Sequence, residues 1–152
     1  MQGRRLNILL VEDNPDHAEL ARRSLESLSG HTCLHHVEDG EAALDYMFGR
    51  GVYADRARFP APDLVLLDLR LPRMDGLEVL RHVKSHPVLQ HTPVVVLTTS
   101  DTEFDLARAC AHHADHFVTK PVDAKRLSEI IDDLGLRVPS FTSGPSAEDA
   151  RS

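Results

Sequence analysis

The sequence predicts an α/β fold built on one parallel sheet with helices on both faces, and three observations carry that prediction. Five short runs of β-branched and aliphatic residues recur along the chain. Between them lie segments whose apolar residues repeat at spacings of three and four, and most of the connections are short. Strands that alternate with helices in this way pair in parallel, and right-handed crossovers distribute the helices over both faces.

Each element has its own signal. Leu6 to Val11 (LNILLV) is a nearly continuous apolar run, as expected of a strand covered on both sides. Glu12 and Asp13 end it, Asn14 and Pro15 supply an N-cap and a first helical position, and Ala18, Ala21, Leu25 and Leu28 form the helix's apolar stripe. Thr32 to Val37 is the second strand, and Asp39 caps a helix with Ala43, Leu44, Met47 and Phe48 inward. Leu64 to Leu67 is the third, followed by a helix from Gly76 to Lys84 that turns Leu77, Leu80 and Val83 to the core. Val94 to Leu97 is the fourth, and Ser100 with Glu103 makes a capping box for a helix running to His112. After a fifth strand, His116 to Thr119, Asp123 caps a last helix that carries Leu127, Ile130 and Leu134 to a stop at Gly135. Five such units fit a doubly wound, flavodoxin-like (βα)5 arrangement with strand order 2-1-3-4-5.

Size and charge narrow the function. The chain has 152 residues, of which 41% are hydrophobic and 27% charged, enough for one domain with a core. Residues 1–135 read as that domain, and 136–152, rich in Ser, Pro and Gly, as a disordered tail. No apolar stretch approaches a membrane span and no signal-type segment precedes the first strand, so a cytoplasmic protein is expected. A formal net charge of −7 opposes binding to nucleic acid. Cys33 and Cys110 lack metal or redox spacing and are expected to fill the core. The histidine pairs His35/His36 and His112/His113 point their neighbouring side chains apart, so a histidine metal site is not expected. Gly49 to Pro62 is long for a connection; a solvated surface loop is the expectation, with partner docking through Tyr53 and Phe59 as the alternative.

The strand order has a chemical consequence. In such sheets the ligand sits beyond the carboxyl ends of the strands at the switch point, which lies between strands one and three. Glu12, Asp13 and Asp68 therefore share one crevice, and three carboxylates in a small volume call for raised pKa values or a cation, Mg2+ being suited to hard oxygen donors. Thr98 ends strand four and Lys120 ends strand five on the same edge. A hydroxyl and an ammonium beside a cation-binding carboxylate form a pocket for a transferring phosphoryl group.

The ordered motifs VEDN, LLDLRLPRMDG, LTTS and FVTKP, covering Leu6 to Leu134, resemble those of response-regulator receiver domains of two-component signalling. That resemblance implies that Asp68 is the phosphoacceptor for a sensor histidine kinase. It implies that Asp13, Asp68 and the backbone carbonyl of Arg70 bind Mg2+, with Glu12 acting through water. Thr98 and Lys120 would bind the phosphoryl group, Thr98 and Phe117 would form the switch, and the Lys120–Pro121 peptide would be cis. The long loop, the PVVVLTTS string and the HADHFVTKPVD segment are similar to the small stand-alone regulators of bacterial phytochrome kinases. This implies a bacteriophytochrome partner, a downstream target or phosphotransfer protein, and a homodimer through the fourth helix, fifth strand and fifth helix, where Phe104, Phe117 and Ile131 are candidates, with core packing the equal alternative for each. Such a protein promotes its own phosphorylation and dephosphorylation without being a turnover enzyme.

Three departures stand out. Phe117 replaces a switch Tyr, Arg70 stands two residues after the acceptor and is expected to lean over the pocket mouth, and His113 stands where Gly is common. Other readings stay open. A Mg2+-dependent phosphohydrolase using Asp68 as nucleophile would want a carboxylate at position 70, an FMN binder would want a Gly-rich loop after strand one, and a phosphorylation-independent binding module would want a broken pocket.

Overall fold

The computed structural model describes residues 6–27, 32–72, 74–98 and 113–136. The elements are β1 (Leu6–Val11), α1 (Pro15–Glu26), β2 (Thr32–Val37), α2 (Gly40–Phe48), β3 (Leu64–Asp68), α3 (Gly76–Lys84), β4 (Val94–Thr98), β5 (His116–Thr119) and a C-terminal helix (Ala124–Asp133). The helix expected over Ser100 to His112, with Phe104 and Cys110, lies outside the described residues, as do Leu28 and the tail beyond Leu136.

All strand pairings are parallel and the order is β2-β1-β3-β4-β5, the flavodoxin-like arrangement that the alternating pattern predicts. Two strands run one residue further than their apolar runs, so that Asp68 and Thr98 are the last residues of β3 and β4. Register brings the carboxyl ends together: Val11 lies opposite Leu67, Asp68 opposite Leu97, and Thr98 opposite Thr119.

The pleat sorts the strand residues by period two into two cores. Leu9, Val11, Val65, Leu67, Val94 and Val96 pack under α2 and α3. Ile8, Leu10, Leu64, Leu66, Val95 and Leu97 pack under α1 and the C-terminal helix. Helix starts follow the sequence signals, with Asn14 Oδ1 accepting from the Asp16 and His17 N–H groups, and Asp39, Asp75 and Asp123 capping the other three. Gly49, at φ 68°, ends α2 in the left-handed region.

Four expectations are narrowed or altered. Ile131 is buried in the core, because Leu127, Ile130 and Ile131 form one stripe at helical spacing; it offers nothing to an outer face. Phe117 is half-buried against the α2/α3 core. Cys33 is only half-buried, on the edge strand, with its Sγ 3.5 Å from His35 Nε2. The Gly49–Pro62 segment lies at the surface as expected, none of its residues being buried, but it is tied to the fold rather than merely solvated. Arg56 donates to the carbonyls of Tyr46 (2.9 Å), Met47 (3.0 Å) and Phe59 (3.0 Å), satisfying the end of α2. Tyr46 is buried, donates its hydroxyl to the Pro60 carbonyl, and meets Tyr53 at a tilt and Phe59 edge-on. Burial pushes the Tyr46 phenol up to about 12.

His113 adopts φ 68°, the left-handed conformation expected of a residue in a position that favours glycine.

Candidate functional site

At the end of β1 the backbone of Glu12 is held from both sides. Its N–H donates to the Val37 carbonyl (3.0 Å) and its carbonyl accepts from His36 Nε2 (2.7 Å). The side chain is 1% exposed. Oε2 accepts from the Asn14 N–H (3.1 Å) while Oε1 pairs with the Lys120 ammonium. Burial pushes the Glu12 carboxyl above its ordinary value; the Lys120 partner pulls it back in part, and the neighbouring Asp68 carboxylate adds to the rise. Asp13, next in the chain, is exposed at the mouth.

Asp68, at the end of β3, is nearly buried. Oδ1 accepts from the Arg70 N–H (2.9 Å) and Oδ2 from Lys120 Nζ (2.9 Å), so both oxygens are oriented by the chain. Behind it, a Cβ on Gly76 would lie 2.3 Å from the Asp68 carbonyl oxygen, so only glycine lets α3 start this close to the strand end. Thr98 is buried at the end of β4, and its carbonyl accepts from the Lys120 N–H (2.7 Å), locking the ends of β4 and β5 together. The Lys120–Pro121 peptide is cis. Lys120 Nζ lies between Glu12 and Asp68, and His17 Nδ1 is 3.1 Å away on its third side.

Glu12, Asp13, Asp68, Thr98 and Lys120 are thus brought to one corner from four strand ends. The Arg70 residue is exposed there and contributes its backbone N–H to Asp68. Carboxylate oxygens of Glu12, Asp13 and Asp68 all lie within 4.8 Å of one another. Three carboxylates gathered around the Lys120 ammonium present hard oxygen donors within reach of one another, which fits a divalent cation such as Mg2+. Phe117 sits three residues before Lys120 on β5, facing the α2/α3 core.

Two residues were missed by reading the sequence. His17 is in the first turn of α1, where side chains lean back toward the helix N-terminus and hence over the end of β1; that direction is the signal that could have found it. His36 left no such signal, because its partner is a backbone carbonyl on a neighbouring strand.

Residues 8–132 match the family model of the response regulator receiver domain. The probable methanogenesis regulatory protein FilR2 of Methanothrix harundinacea (strain 6Ac) is 42% identical over 127 residues, which span 84% of this chain and 79% of that protein. Among solved structures, the bacteriophytochrome response regulator AtBRR is 41% identical with a TM-score of 0.82, the match covering 93% of this chain and 100% of that one. The phosphorylated cyanobacterial phytochrome response regulator RcpA is 35% identical with a TM-score of 0.74, covering 90% and 99%.

Proposed function

The chain belongs to the response regulator receiver domain family of two-component signalling, and from that premise we propose that Asp68 accepts a phosphoryl group from the phosphohistidine of a sensor kinase. The observation that carries the reading is the Lys120 ammonium bridging Glu12 and Asp68 beside a cluster of three carboxylates.

In the proposed step an Asp68 carboxylate oxygen attacks phosphorus in line, and the P–N bond to the kinase imidazole breaks. The bonding pair leaves with the imidazole nitrogen, which takes a proton from solvent, and the product is an acyl phosphate. Asp13, Asp68, the Arg70 carbonyl and, through water, Glu12 would hold Mg2+, which when bound spreads the charge of the transferring group. Lys120 pairs with a phosphoryl oxygen from the opposite side. The Thr98 hydroxyl donates to another, and Thr98 and Phe117 relay the change to the surface of β5. The added charge and acceptor oxygens bias a packed element with two arrangements. The protein promotes its own phosphorylation and dephosphorylation without being a turnover enzyme, and it passes the signal on by a changed protein contact or by phosphotransfer.

A phytochrome-type kinase is the partner supported by the likeness to AtBRR and RcpA. Self-association through the helix expected before β5, β5 and the C-terminal helix is part of the same reading, with Phe104 left of the three apolar candidates now that Phe117 and Ile131 pack against the two cores. Incubation with Mg2+ and acetyl phosphate tests the central step. Incorporation of phosphate in the wild type and none in Asp68→Asn is expected; equal incorporation in both would overturn the assignment.

A further inference from the structure

Lysine carries three N–H donors and no acceptor. Two of the three at Lys120 face Glu12 and Asp68, the carboxylates already discussed. The third has its partner outside that set: His17 Nδ1, 3.1 Å from Nζ. A lysine can only donate, so this contact is a hydrogen bond when Nδ1 presents its lone pair and the ring proton sits on Nε2; the other neighbour of Nδ1, Glu12 Oε2, is 4.0 Å away, beyond hydrogen-bond reach. His17 is held for this role by the helix start, its backbone N–H donating to Asn14 Oδ1 (3.2 Å).

What lies behind the imidazole explains why the contact has consequences. A cavity of about 290 Å3 is lined by Leu20, Ala21, Leu97, Pro121 and Val122 together with Glu12, His17 and Lys120. Water beside Nζ would take the third N–H of Lys120 and let the ammonium turn. The imidazole, itself 38% exposed, occupies that place with an acceptor fixed to the helix, and the Lys120 side chain behind it is 8% exposed.

We propose that His17 is a positioning residue for phosphoryl transfer, acting through Lys120 by accepting its third hydrogen bond in the Nε2–H tautomer. The proposal rests on the reading of Lys120 as the phosphoryl-pairing cation. When a phosphoryl oxygen takes the place of the Asp68 contact, Glu12 and His17 keep the other two N–H groups, and the ammonium stays aimed.

Three variants separate this from a packing role. His17→Leu keeps bulk and loses the acceptor; His17→Asn restores an acceptor near the Nδ1 position; Lys120→Met removes the donor. With acetyl phosphate and saturating Mg2+, His17→Leu is expected to slow phosphorylation about five-fold, the equivalent of one net hydrogen bond, and His17→Asn to return to within about two-fold of wild type. A Leu variant as fast as wild type, or an Asn variant as slow as Leu, overturns the proposal. The 15N spectrum of the histidine rings, recorded without any phosphodonor, decides the same point if the wild type takes up no phosphate and the phosphoacceptor reading itself fails. An Nε2–H pattern for His17 that shifts toward a tautomer mixture in Lys120→Met is expected, and an Nδ1–H pattern in the wild type contradicts it.

Discussion

Two lysines in this fold are equally withdrawn from solvent, with side chains 7% and 8% exposed, and each ammonium meets three acceptors. At the amino end of β4, Lys84 donates to the Gln90 and Thr92 carbonyls (3.1 and 2.9 Å) and to Asp115 Oδ2 (2.7 Å). Asp115 also accepts from the Val94 N–H (2.8 Å), so the group closes a knot between α3, β4 and the approach to β5. At the carboxyl end, Lys120 meets three side chains, Glu12, Asp68 and His17. Backbone carbonyls carry no net charge and cannot be neutralised by a proton or a cation, whereas carboxylates can; Lys84 has one carboxylate among its three acceptors and Lys120 has two. The same donor is therefore structural at one end of the sheet and exchangeable at the other.

That contrast is most exposed to failure at Lys84. Lys84→Met removes three hydrogen bonds, two to carbonyls and one to the exposed Asp115, and should cost about 3 kcal/mol of unfolding free energy, roughly one for each, read from the denaturant midpoint. Mg2+ should not restore it, and the phosphorylation rate of the folded protein should stay near wild type. Lys120→Met leaves Glu12 and Asp68 facing each other, and here Mg2+ should recover most of the lost stability, because a cation can stand in for the ammonium. If Mg2+ rescues both or neither, the distinction between the two lysines is wrong.

A somewhat smaller effect sharpens the metal side of the comparison. Binding to the folded state alone stabilises by mass action, so Mg2+ at a hundred times its dissociation constant should add about 2.7 kcal/mol in thermal or chemical unfolding. Asp13→Asn should remove most of that gain while leaving the metal-free protein at least as stable as wild type. The Glu12 carboxyl bears on the same experiment. Its folded-state pKa is raised by burial, so its contribution is fully present below the unfolded value of 4.5 and is lost as pH rises through the folded one. Glu12→Gln should accordingly be more stable than wild type at neutral pH in metal-free buffer.

The smallest effect concerns the far edge of the sheet. His35 is packed near Tyr46 and Phe59, and burial pushes its imidazole below the usual 6.5. The unfolded chain then binds the proton more readily, so the stability His35 contributes is present above pH 6.5 and falls as pH drops below it. His35→Asn should flatten the unfolding midpoint across that window by less than about 1 kcal/mol.

How much of this could be read in advance differs between the two ends of the sheet. The apolar runs of β1, β3 and β4 and the caps at Asn14, Asp39 and Asp123 announce the strand order, and the order alone brings Glu12, Asp13, Asp68, Thr98 and Lys120 to one edge. Ile131 could be read as core or as outer face, and its place on the Leu127–Ile130 stripe is what decides for the core. The ties that hold the Gly49–Pro62 segment were not legible, because Arg56 and Tyr46 find backbone carbonyls in the α2–β3 connection that no local pattern encodes. His17 lies between these cases, local in sequence yet defined by a lysine 103 positions away.

The central claim concerns a covalent bond at one carboxylate, and borohydride trapping reads it directly. Borohydride reduces an acyl phosphate on aspartate to homoserine, which peptide mapping locates. After treatment with Mg2+ and acetyl phosphate, homoserine at position 68 is the predicted result, absent without the donor. Homoserine at position 13, or an unreduced Asp68 in protein that has demonstrably taken up phosphate, would contradict it.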